Sequence, residues 1–300
     1  MKNNNELNTP KTPFSLRSTS LYLVIGGLII FLVVLIWFIR QFTSSFFTSK
    51  YQRVNIGIWG KRTIILSYNL SSPDHSLIIF SNSYEIEIPG GLKGYTVGAI
   101  GKLVDLEKKP LIFKKALSSA GQLLIHKIQH ENTNEVYFDD FGDPSSDDAL
   151  KSMIVSSLLG PGDLNVLERI YIFLHLSEVV GPRTSRAIVT SQKYEPKLYE
   201  KVFRNERKLV QLQYQKSSKT AYEFASMLEN IGIRVSDILS IDRGENRTIS
   251  GCEVIEQETS VSETAKFLAG YFDCKIVRGE TGIYNIKLIL DQVTENEWGS

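Results

Sequence analysis

The chain has 300 residues, 42% of them hydrophobic, and a formal net charge of +1 at pH 7. This length accommodates about two domains, and the near-zero net charge gives no general attraction to nucleic acid or to acidic surfaces. Two cysteines are too few for a disulfide-dense scaffold. Cys252 and Cys274 lack the spacing of a CxxC or Cys/His metal site, which favours buried or unpaired thiols. A single bridge remains open for an oxidising compartment.

The strongest feature is an uncharged apolar run at residues 21–39, LYLVIGGLIIFLVVLIWFI. As a helix it spans roughly 28 Å, close to the ~30 Å hydrocarbon core of a bilayer. A signal peptide is the rival interpretation, but its apolar region is usually about 7–15 residues long and ends at an Ala-x-Ala-like site. The following segment, RQFTSSFFTSK, has no such site. We expect a single uncleaved anchor in the lipid bilayer, preceded by a disordered polar tail at residues 1–20.

Residues 53–200 are expected to form a layered α/β domain. Three Ile-rich runs, RVNIGIWG, RTIILSYNL and LIIFSNSYEIEIP, are bounded by Gly, Pro, Asp and Ser, which predicts strands of one sheet. GLKGYTVGAIGKLVDLEKK leads from a glycine-rich loop into a helix, and Pro110 opens the next one. DLNVLERIYIFLHLSEVVG predicts an apolar helix that ends at Gly181 and Pro182. This alternation indicates helices packed on a sheet.

No metal site and no cofactor is predicted. The acidic segment FDDFGDPSSDDALKSM does not fit an EF-hand: Asp139, Asp140 and Asp143 are out of register and no Glu closes the loop. The segment is better interpreted as a helix capped by Ser145 or Ser146, whose first turn carries acidic residues that favour its N-terminal end. His175 has no second histidine four residues on, so neither a zinc site nor a Ser-His-Asp set is indicated.

Residues 197–219, KLYEKVFRNERKLVQLQYQKSSK, carry seven Lys or Arg against two Glu. A nucleic-acid contact is one interpretation of this basic stretch, and a solvated helix that leads into a strand is the other. No recognised nucleic-acid motif accompanies the charges. The solvated helix is therefore favoured, and no nucleic-acid partner is expected.

Residues 205–292 are expected to form a compact α/β module with an internal echo. LVQLQYQKSSKTAYEFASMLENIGIRV and CEVIEQETSVSETAKFLAGYFDCKIV both predict strand, polar turn, helix and strand. Thr220 with Glu223, and Ser260 with Glu263, match the capping box of a helix start. Gly232 is placed to end the first helix, and YNIKLIL supplies a closing strand. The helices would cover one side of a small mixed sheet, with no catalytic constellation inside the module.

This module resembles the C-terminal domain of LytR-type cell-envelope proteins. TAYEFASMLENIGIRV and SETAKFLAGYFDCKIV keep that domain's pattern, although VQLQYQKSS lacks its Asn-Gly turn. The preceding domain resembles a degenerate LytR-CpsA-Psr domain: RVNIGIWG is similar to its opening strand, RTIIL to its next strand, and FSNSYEIEIPGG to its Ile-Pro-Arg-Asp segment. The resemblance implies membrane-anchored, outward-facing proteins that move glycopolymers from a polyprenyl-phosphate carrier onto the wall. Arginines and aspartates of that family bind the pyrophosphate and a divalent metal.

The resemblance also bears on orientation, which the charges leave open. Three basic residues precede the apolar run and three follow it, so the positive-inside rule does not decide. They are Lys2, Lys11 and Arg17 before the run, and Arg40, Lys50 and Arg53 after it. With the resemblance included, we expect the short tail inside and the bulk of the chain outside, in a single-pass protein of the cell membrane.

The family's functional residues do not carry over. Arg62 stands where the metal-binding Asp precedes the TIIL strand, and Asn82 and Ser83 stand where the Arg-Asp pair lies. Asn cannot supply the fixed fork that grips a pyrophosphate, and Ser83 offers no negative charge to a hard cation. No catalytic residue is therefore predicted. The residues expected to hold an anionic lipid or a phosphate are Arg62, Asn82, Lys93 and Lys102.

The leading hypothesis is a non-catalytic envelope protein that binds wall glycopolymer, a polyprenyl-linked precursor or another envelope protein. An active glycopolymer phosphotransferase that uses unfamiliar residues is the alternative from another class. A transcriptional attenuator is the third, and the basic stretch is its only support.

Overall fold

The computed structural model describes residues 16–48, 52–88, 92–131, 146–190, 198–241 and 251–298. Residues 1–15 of the expected tail, the Pro-Gly-Gly at 89–91, and Asp139, Asp140, Asp143 and Ser145 of the acidic segment lie outside these residues. The chain divides into two compact units, Met1–Thr48 and Ser49–Ser300. Each is described by itself.

The first unit is dominated by helix α1, Leu16–Thr43, followed by a short 3-10 turn at Phe46–Thr48. Its segment Val24–Thr43 is long and apolar enough to cross a membrane, and none of it is buried. A signal sequence near the N-terminus would pass the same test of length and composition. The predicted apolar helix is thus confirmed as a candidate span.

The second unit begins with a layered α/β half. Its elements are β1 (Arg53–Trp59), β2 (Thr63–Asn69), β3 (Ser76–Phe80), β4 (Glu85–Ile88), β5 (Leu92–Thr96), α2 (Val97–Glu107), α3 (Pro110–Gly121), β6 (Lys127–His130), α4 (Asp147–Leu159), α5 (Val166–Leu174), α6 (Leu176–Val179) and β7 (Ser185–Val189). Five strands form the first sheet in the order β6-β1-β2-β3-β7. β1 and β3 run antiparallel to β2, whereas β6 is parallel to β1 and β7 is parallel to β3. The carboxyl ends of β1, β3, β6 and β7 therefore meet at one edge.

Helices cover both faces of the first sheet. On one face, the space where a side chain at Gly57 of β1 would lie is taken by Leu117 and Phe113 of α3. On the other, the ring of Tyr68 in β2 meets that of Tyr171 in α5 edge-on, 5.8 Å between centroids. Every residue of β3 is buried, as expected of a strand with both faces covered. This explains the continuous apolar run SLIIF, where a half-exposed strand would alternate.

Three sequence expectations change in this half. The run LIIFSNSYEIEIP is two strands rather than one, and β4 pairs with β5 in a separate hairpin instead of joining the first sheet. The helix predicted to run to Gly181 breaks at His175, whose ring Nδ1 lies 2.9 Å from the Tyr171 carbonyl and whose φ and ψ are −102° and 15°. The cap of α4 is Ser146, with Asp147 and Asp148 in its first turn as predicted, but the serine side chain makes no capping hydrogen bond.

The second half contains the module with the internal echo. Its elements are α7 (Lys201–Glu206), β8 (Leu209–Tyr214), α8 (Ser218–Asn230), β9 (Arg234–Ser240), β10 (Glu253–Glu256), α9 (Glu263–Phe272), β11 (Lys275–Arg278), β12 (Ile286–Ile289) and α10 (Gln292–Trp298). The second sheet has the order β11-β10-β12-β8-β9. β8 is parallel to β9, and β10 is parallel to β11, each pair joined by one helix. The predicted repeat of strand, helix and strand and the mixed sheet are confirmed.

The caps of the two repeat helices are not the predicted residues. Ser217 caps α8 and accepts from the Thr220 amide at 3.2 Å, and Ser262 caps α9 and accepts from the Ala265 amide at 3.1 Å. Thr220 and Ser260 therefore do not act as caps. Distant carboxylates complete both helix starts, which local spacing could not reveal. The Glu295 carboxylate accepts from the amides of Gln215, Lys216 and Ser217, and the Glu206 carboxylate accepts from the amides of Glu263 and Thr264.

The two halves share one hydrophobic core. The hydroxyl of Tyr271 in α9 donates to the Ile125 carbonyl at 3.2 Å, and the Asn230 side chain donates to the Gln122 carbonyl at 2.9 Å. At the first strand, the buried Glu200 carboxylate accepts from the amides of Gln52 and Arg53, at 2.8 and 2.6 Å. Burial raises the pKa of Glu200 to about 7, against the lowering effect of these two hydrogen bonds and of the Arg53 charge.

Cys252 and Cys274 form a disulfide bond, with their Cα atoms 4.5 Å apart. The bridge lies at the start of the β10–β11 pair, where the Lys275 amide donates to the Cys252 carbonyl at 3.0 Å. Unpaired thiols, favoured from spacing alone, are therefore the wrong alternative. The bridge depends on the parallel pairing of β10 with β11 across α9, and the spacing of the cysteines alone does not encode that pairing.

The first testable consequence concerns His126. Its ring faces Phe267 and Tyr271 of α9, and its Nδ1 accepts from the Asn55 amide at 3.0 Å. Burial, aided by the nearby charges of Lys114 and Lys127, lowers the pKa of His126 from its ordinary 6.5 to about 3. Below pH 6.5 the unfolded chain takes up a proton that the folded chain does not, so this histidine lowers the free energy of unfolding as the pH falls toward 3. The slope approaches about 1.4 kcal/mol per pH unit.

The raised pKa of Glu200 acts in the opposite direction, because its stabilising protonation is gained as the pH falls through about 7. The measured quantity is therefore the difference in free energy of unfolding between the wild type and His126→Asn, obtained from urea unfolding at pH values between 7.5 and 4. Asn keeps a hydrogen-bond acceptor near the Nδ1 position. We expect the stability of the variant relative to the wild type to rise steadily below pH 6.5. A pH-independent difference would contradict a His126 that stays neutral in the folded chain.

Candidate functional site

The candidate site lies at the carboxyl edge of the first sheet, the edge at which β1, β3, β6 and β7 end. In open α/β sheets, ligands bind in the crevice outside the carboxyl ends of the strands. Here the edge carries the turn Gly60–Arg62 after β1 and the segment Ser81–Tyr84 after β3. It also carries the first turn of α2 and Glu131, which directly follows β6. Two of the predicted site residues, Arg62 and Asn82, therefore belong to the same edge.

Asn82 connects the elements of this edge. Its side-chain amide donates to the Lys61 carbonyl at 3.1 Å, and its backbone carbonyl accepts from the Gly98 amide at 3.1 Å. A side chain at Gly98 would lie 3.0 Å from the Cβ of Asn82, so glycine permits this close approach. Asn82 thus holds the β1–β2 turn against α2. This is a structural role that the sequence did not reveal.

The first turn of α2 is not an open anion cradle. Free amides at a helix start can bind phosphate, but the Val97 amide donates to the Tyr84 carbonyl at 2.8 Å and the Gly98 amide donates to Asn82. Both backbone donors are satisfied by the chain itself. These two amides are therefore not available to an anion.

The other predicted residues occupy different places. Arg62 is half-buried and directly precedes β2, while Lys102 is exposed on α2, about one turn beyond Gly98. Ser83 is exposed and its hydroxyl lies 2.8 Å from that of Ser81. The backbone of Lys93 belongs to β5, and its side chain lies outside what the structure describes. The roles of Arg62, Asn82, Lys93 and Lys102 in binding an anion stay predictions.

Glu131 is a residue of this edge that sequence reasoning missed. It is only 3% exposed, its carboxylate accepts from the Lys61 amide at 2.7 Å, and its own amide donates to the Trp59 carbonyl at 2.7 Å. A side chain at Gly60 would collide with this carboxylate. Glu131 therefore fixes the turn that carries Arg62. No motif marks it, because it meets Lys61 only through the pairing of β1 with β6.

Trp59, the last residue of β1, packs its indole between the first sheet and α2. Its indole lies 4.1 Å from the His130 ring and 6.2 Å from the Phe113 ring, between centroids. The indole also fills the space beside Gly101 of α2, where a Cβ would overlap the ring. The position of α2, and with it that of Lys102, depends on this contact.

A second concave region lies where β2 ends and β3 begins. It has a volume of about 520 Å³ and is lined by Tyr68, His75, Tyr171, His175 and Glu178, among others. His75 stacks on Tyr68 at 4.4 Å between centroids, and its Nδ1 accepts from the Asn69 amide at 3.2 Å. Burial lowers the pKa of His75 and raises that of Tyr68, so both side chains are neutral at pH 7. This region offers neutral aromatic rings and hydrogen-bonding groups, and sequence reasoning did not single it out.

Comparisons with known proteins give distant structural matches. No family model and no curated protein matches the chain. The transcriptional regulator YvhJ from Bacillus subtilis has 9% identity and a TM-score of 0.33, over 48% of this chain and 85% of its own. TagT, a LytR-CPS2A-psr family protein with bound octaprenyl pyrophosphate lipid, has 11% identity and a TM-score of 0.31, over 48% and 80%. A transcriptional regulator from Enterococcus faecalis has 7% identity and a TM-score of 0.34, over 61% and 88%.

The tight contact of Gly101 with Trp59 and the open space beside Gly270 predict opposite effects of an alanine substitution on stability. Gly101→Ala places a methyl group on the Trp59 indole, so we expect the free energy of unfolding to fall by about 1–3 kcal/mol. Gly270→Ala, in α9, meets nothing within 4 Å and should raise it by about 0.5–1 kcal/mol through helix propensity. Urea unfolding followed by circular dichroism measures both. Equal effects of the two substitutions would show that Trp59 does not hold α2.

Proposed function

We propose that the chain is a single-pass envelope protein whose first α/β half binds a polyprenyl-linked phosphate at its carboxyl edge without transferring it. The observation that carries the proposal is the residue set at that edge. Where the family resemblance calls for an acid, an arginine and an acid, this chain has Arg62, Asn82 and Ser83.

The chemistry of phosphoryl transfer supports binding without turnover. Such reactions depend on positioning the phosphate and neutralising its charge with metal ions and cationic side chains. Asn82 and Ser83 have neither a carboxylate for a divalent cation nor a guanidinium for a phosphate. The Asn82 amide also donates to the Lys61 carbonyl, and the Ser83 hydroxyl lies against that of Ser81. Arg62 places a positive charge where a cation would have to sit. The same charge favours a phosphate.

Two further features support an outward-facing location. Val24–Thr43 is a candidate span, and the folded part contains the bridge between Cys252 and Cys274. Disulfides persist in extracytoplasmic compartments and are rare where thiols are kept reduced. On this proposal the second unit faces outward, and its partners are the bilayer and a wall glycopolymer or its lipid-linked precursor.

The location is tested in intact cells. We expect the full chain to stay in the membrane after a carbonate wash, because α1 is retained as an anchor, and we expect external protease to digest the second unit. The bridge provides an independent readout: Cys252 and Cys274 are the only cysteines of the chain, so a maleimide should label it only after reduction. Release by the wash would refute the anchor. Protection from protease together with labelling before reduction would place the folded part inside.

The binding function is tested with the full chain purified in detergent, using octaprenyl pyrophosphate as the probe. We expect saturable binding and no release of phosphate, with or without magnesium. Arg62→Ala should weaken binding by about tenfold or more, since a charge-assisted contact contributes roughly 1.5–3 kcal/mol. The matched control is Arg183→Ala, which removes an exposed arginine that lines the second concave region instead. It should leave the affinity unchanged.

Two outcomes of this experiment would overturn the proposal. Magnesium-dependent phosphate release by the wild type, lost in Arg62→Ala, would favour an active phosphotransferase. An affinity unaffected by Arg62→Ala would remove the carboxyl edge as the binding site. The double variant Asn82→Arg, Ser83→Asp should not gain turnover while Arg62 remains, because the arginine still repels a cation.

A further inference from the structure

Three arginines line one pocket in the second half of the chain. The pocket has a volume of about 940 Å³, and Arg204, Arg207 and Arg234 contribute to its wall, together with Tyr199, Glu229 and two serines. Arg204 belongs to α7, Arg207 directly follows that helix, and Arg234 opens β9. Two of these arginines come from the basic stretch at 197–219, which the proposed function leaves unexplained. The fold adds the third from a separate strand.

The pocket wall holds Arg204 in place. Its guanidinium carbon lies 5.2 Å from the centre of the Tyr199 ring, a cation–π contact. Its aliphatic stem packs against the turn after α8, where a side chain at Gly232 would lie 3.1 Å from the Arg204 Cγ. Gly232 has a φ of +96°, so this turn favours glycine both for its backbone conformation and for the close approach. Arg204 is therefore supported by its ring and stem contacts while it lines the pocket.

The charge balance of the pocket is strongly positive. Glu229 is the acidic residue in the wall, so three arginines face one carboxylate. Within the described part of the chain, no carboxylate forms an ion pair with Arg204, Arg207 or Arg234. Three guanidinium groups against one carboxylate leave the concave surface with a net positive charge, which focuses a positive field outward.

Guanidinium groups match phosphate oxygens with two parallel hydrogen bonds, which a lysine ammonium cannot reproduce. The serines of the wall, Ser226 and Ser236, add hydroxyl groups that can donate to the remaining oxygens. We propose that this arginine pocket binds consecutive phosphate groups of a soluble, phosphate-bearing polymer. The inference rests on the proposed function for the biological source of that polymer, but the pocket's affinity for phosphate is measured independently of the carboxyl edge.

Arg207 allows the pocket to be tested without disturbing the fold. It ends α7 with a φ of 52°, in the left-handed region that favours glycine. Lys108, Gln122 and Asp273 end their helices in the same way, so the conformation alone does not mark a site. Because glycine adopts this left-handed conformation readily, Arg207→Gly removes the guanidinium and at the same time relieves the backbone strain at this position. This variant should unfold at the same temperature as the wild type or a higher one.

The experiment uses the full chain in a zwitterionic detergent at low salt, titrated with tripolyphosphate in a calorimeter. We expect saturable binding that weakens by about tenfold or more in Arg207→Gly and in Arg234→Ala. Lys201→Ala is the matched control, because it removes an exposed cation of α7 that is not part of the pocket wall. It should change the affinity by less than about twofold. Arg207→Lys keeps the positive charge but lacks the two parallel donors of the guanidinium, so it should still lose most of the affinity for tripolyphosphate.

Each alternative outcome would overturn the proposal. Equal losses in Lys201→Ala and Arg207→Gly would indicate general charge attraction instead of a site. Association with nanodiscs of phosphatidylglycerol through the three arginines, without binding of tripolyphosphate, would assign the surface to lipid headgroups. Tighter binding of a short oligothymidylate than of tripolyphosphate would assign it to nucleic acid.

The two binding sites are separated by one further variant. Arg62→Ala should leave unchanged the component of tripolyphosphate binding that Arg207→Gly weakens. If octaprenyl pyrophosphate fails to bind while tripolyphosphate binding responds to Arg207→Gly, the proposed function fails and the arginine pocket stands. If octaprenyl pyrophosphate binds but Arg207→Gly does not change tripolyphosphate binding, the arginine pocket fails and the proposed function stands.

Discussion

Helix α3 is the element on which the second unit depends, because it must bury two faces at once. One face lies on the first sheet, where Leu117 and Phe113 occupy the space that Gly57 leaves open. The other meets the second half, where Lys114 and Lys115 lie over the rings of Tyr271 and Trp298, at 4.9 and 5.2 Å from their centres. A lysine can line such a junction only when its stem packs on apolar surface and its ammonium group finds a compensating partner. Burial accordingly lowers the pKa of Lys114.

This junction explains why the second unit is one compact body although its sequence suggests two modules. The shared core runs from the strands of the first sheet to α8 and α9, and hydrogen bonds between polar groups cross the junction. The hydroxyl of Tyr271, for example, lies 3.3 Å from that of Ser118 and donates to the Ile125 carbonyl. Unpaired polar groups in such a place would cost about 1–3 kcal/mol each. The junction therefore favours one arrangement of the halves, which in turn fixes where the carboxyl edge and the arginine pocket lie.

Much of this architecture could be predicted from local pattern. The apolar runs gave β1, β2 and β3 of the five strands in the first sheet, but not β6 or β7. Pro110 marked the start of α3, and the repeat of strand, helix and strand was visible in the sequence. What failed depends on residues that meet only after folding. Glu295 caps α8 from the last helix and Glu206 caps α9 from α7, so local cap signals at Thr220 and Ser260 were misleading. The Cys252–Cys274 bridge and the β4–β5 hairpin have the same origin, since strand pairing decides both.

The candidate site shows the same division between local and long-range information. The family resemblance singled out Arg62 and Asn82 as residues of one anion site, but it could not show that the Asn82 amide donates to the Lys61 carbonyl. Nor could it join Arg234 to Arg204, because β9 returns beside α7 only through the second sheet.

Glu131 carries the last step of the functional interpretation. It is a buried carboxylate at the carboxyl edge, and an active transferase with unfamiliar residues would have to draw a cation ligand from such a group. Its Oε2, however, accepts from the Lys61 amide at 2.7 Å, and Gly60 is pressed against it, so the carboxylate fixes the turn that carries Arg62. Loss of this carboxylate would leave the Lys61 amide without its partner and release that turn. Among the described residues of the edge, the Glu131 carboxylate thus positions the turn that carries Arg62, the residue on which the proposed phosphate binding depends.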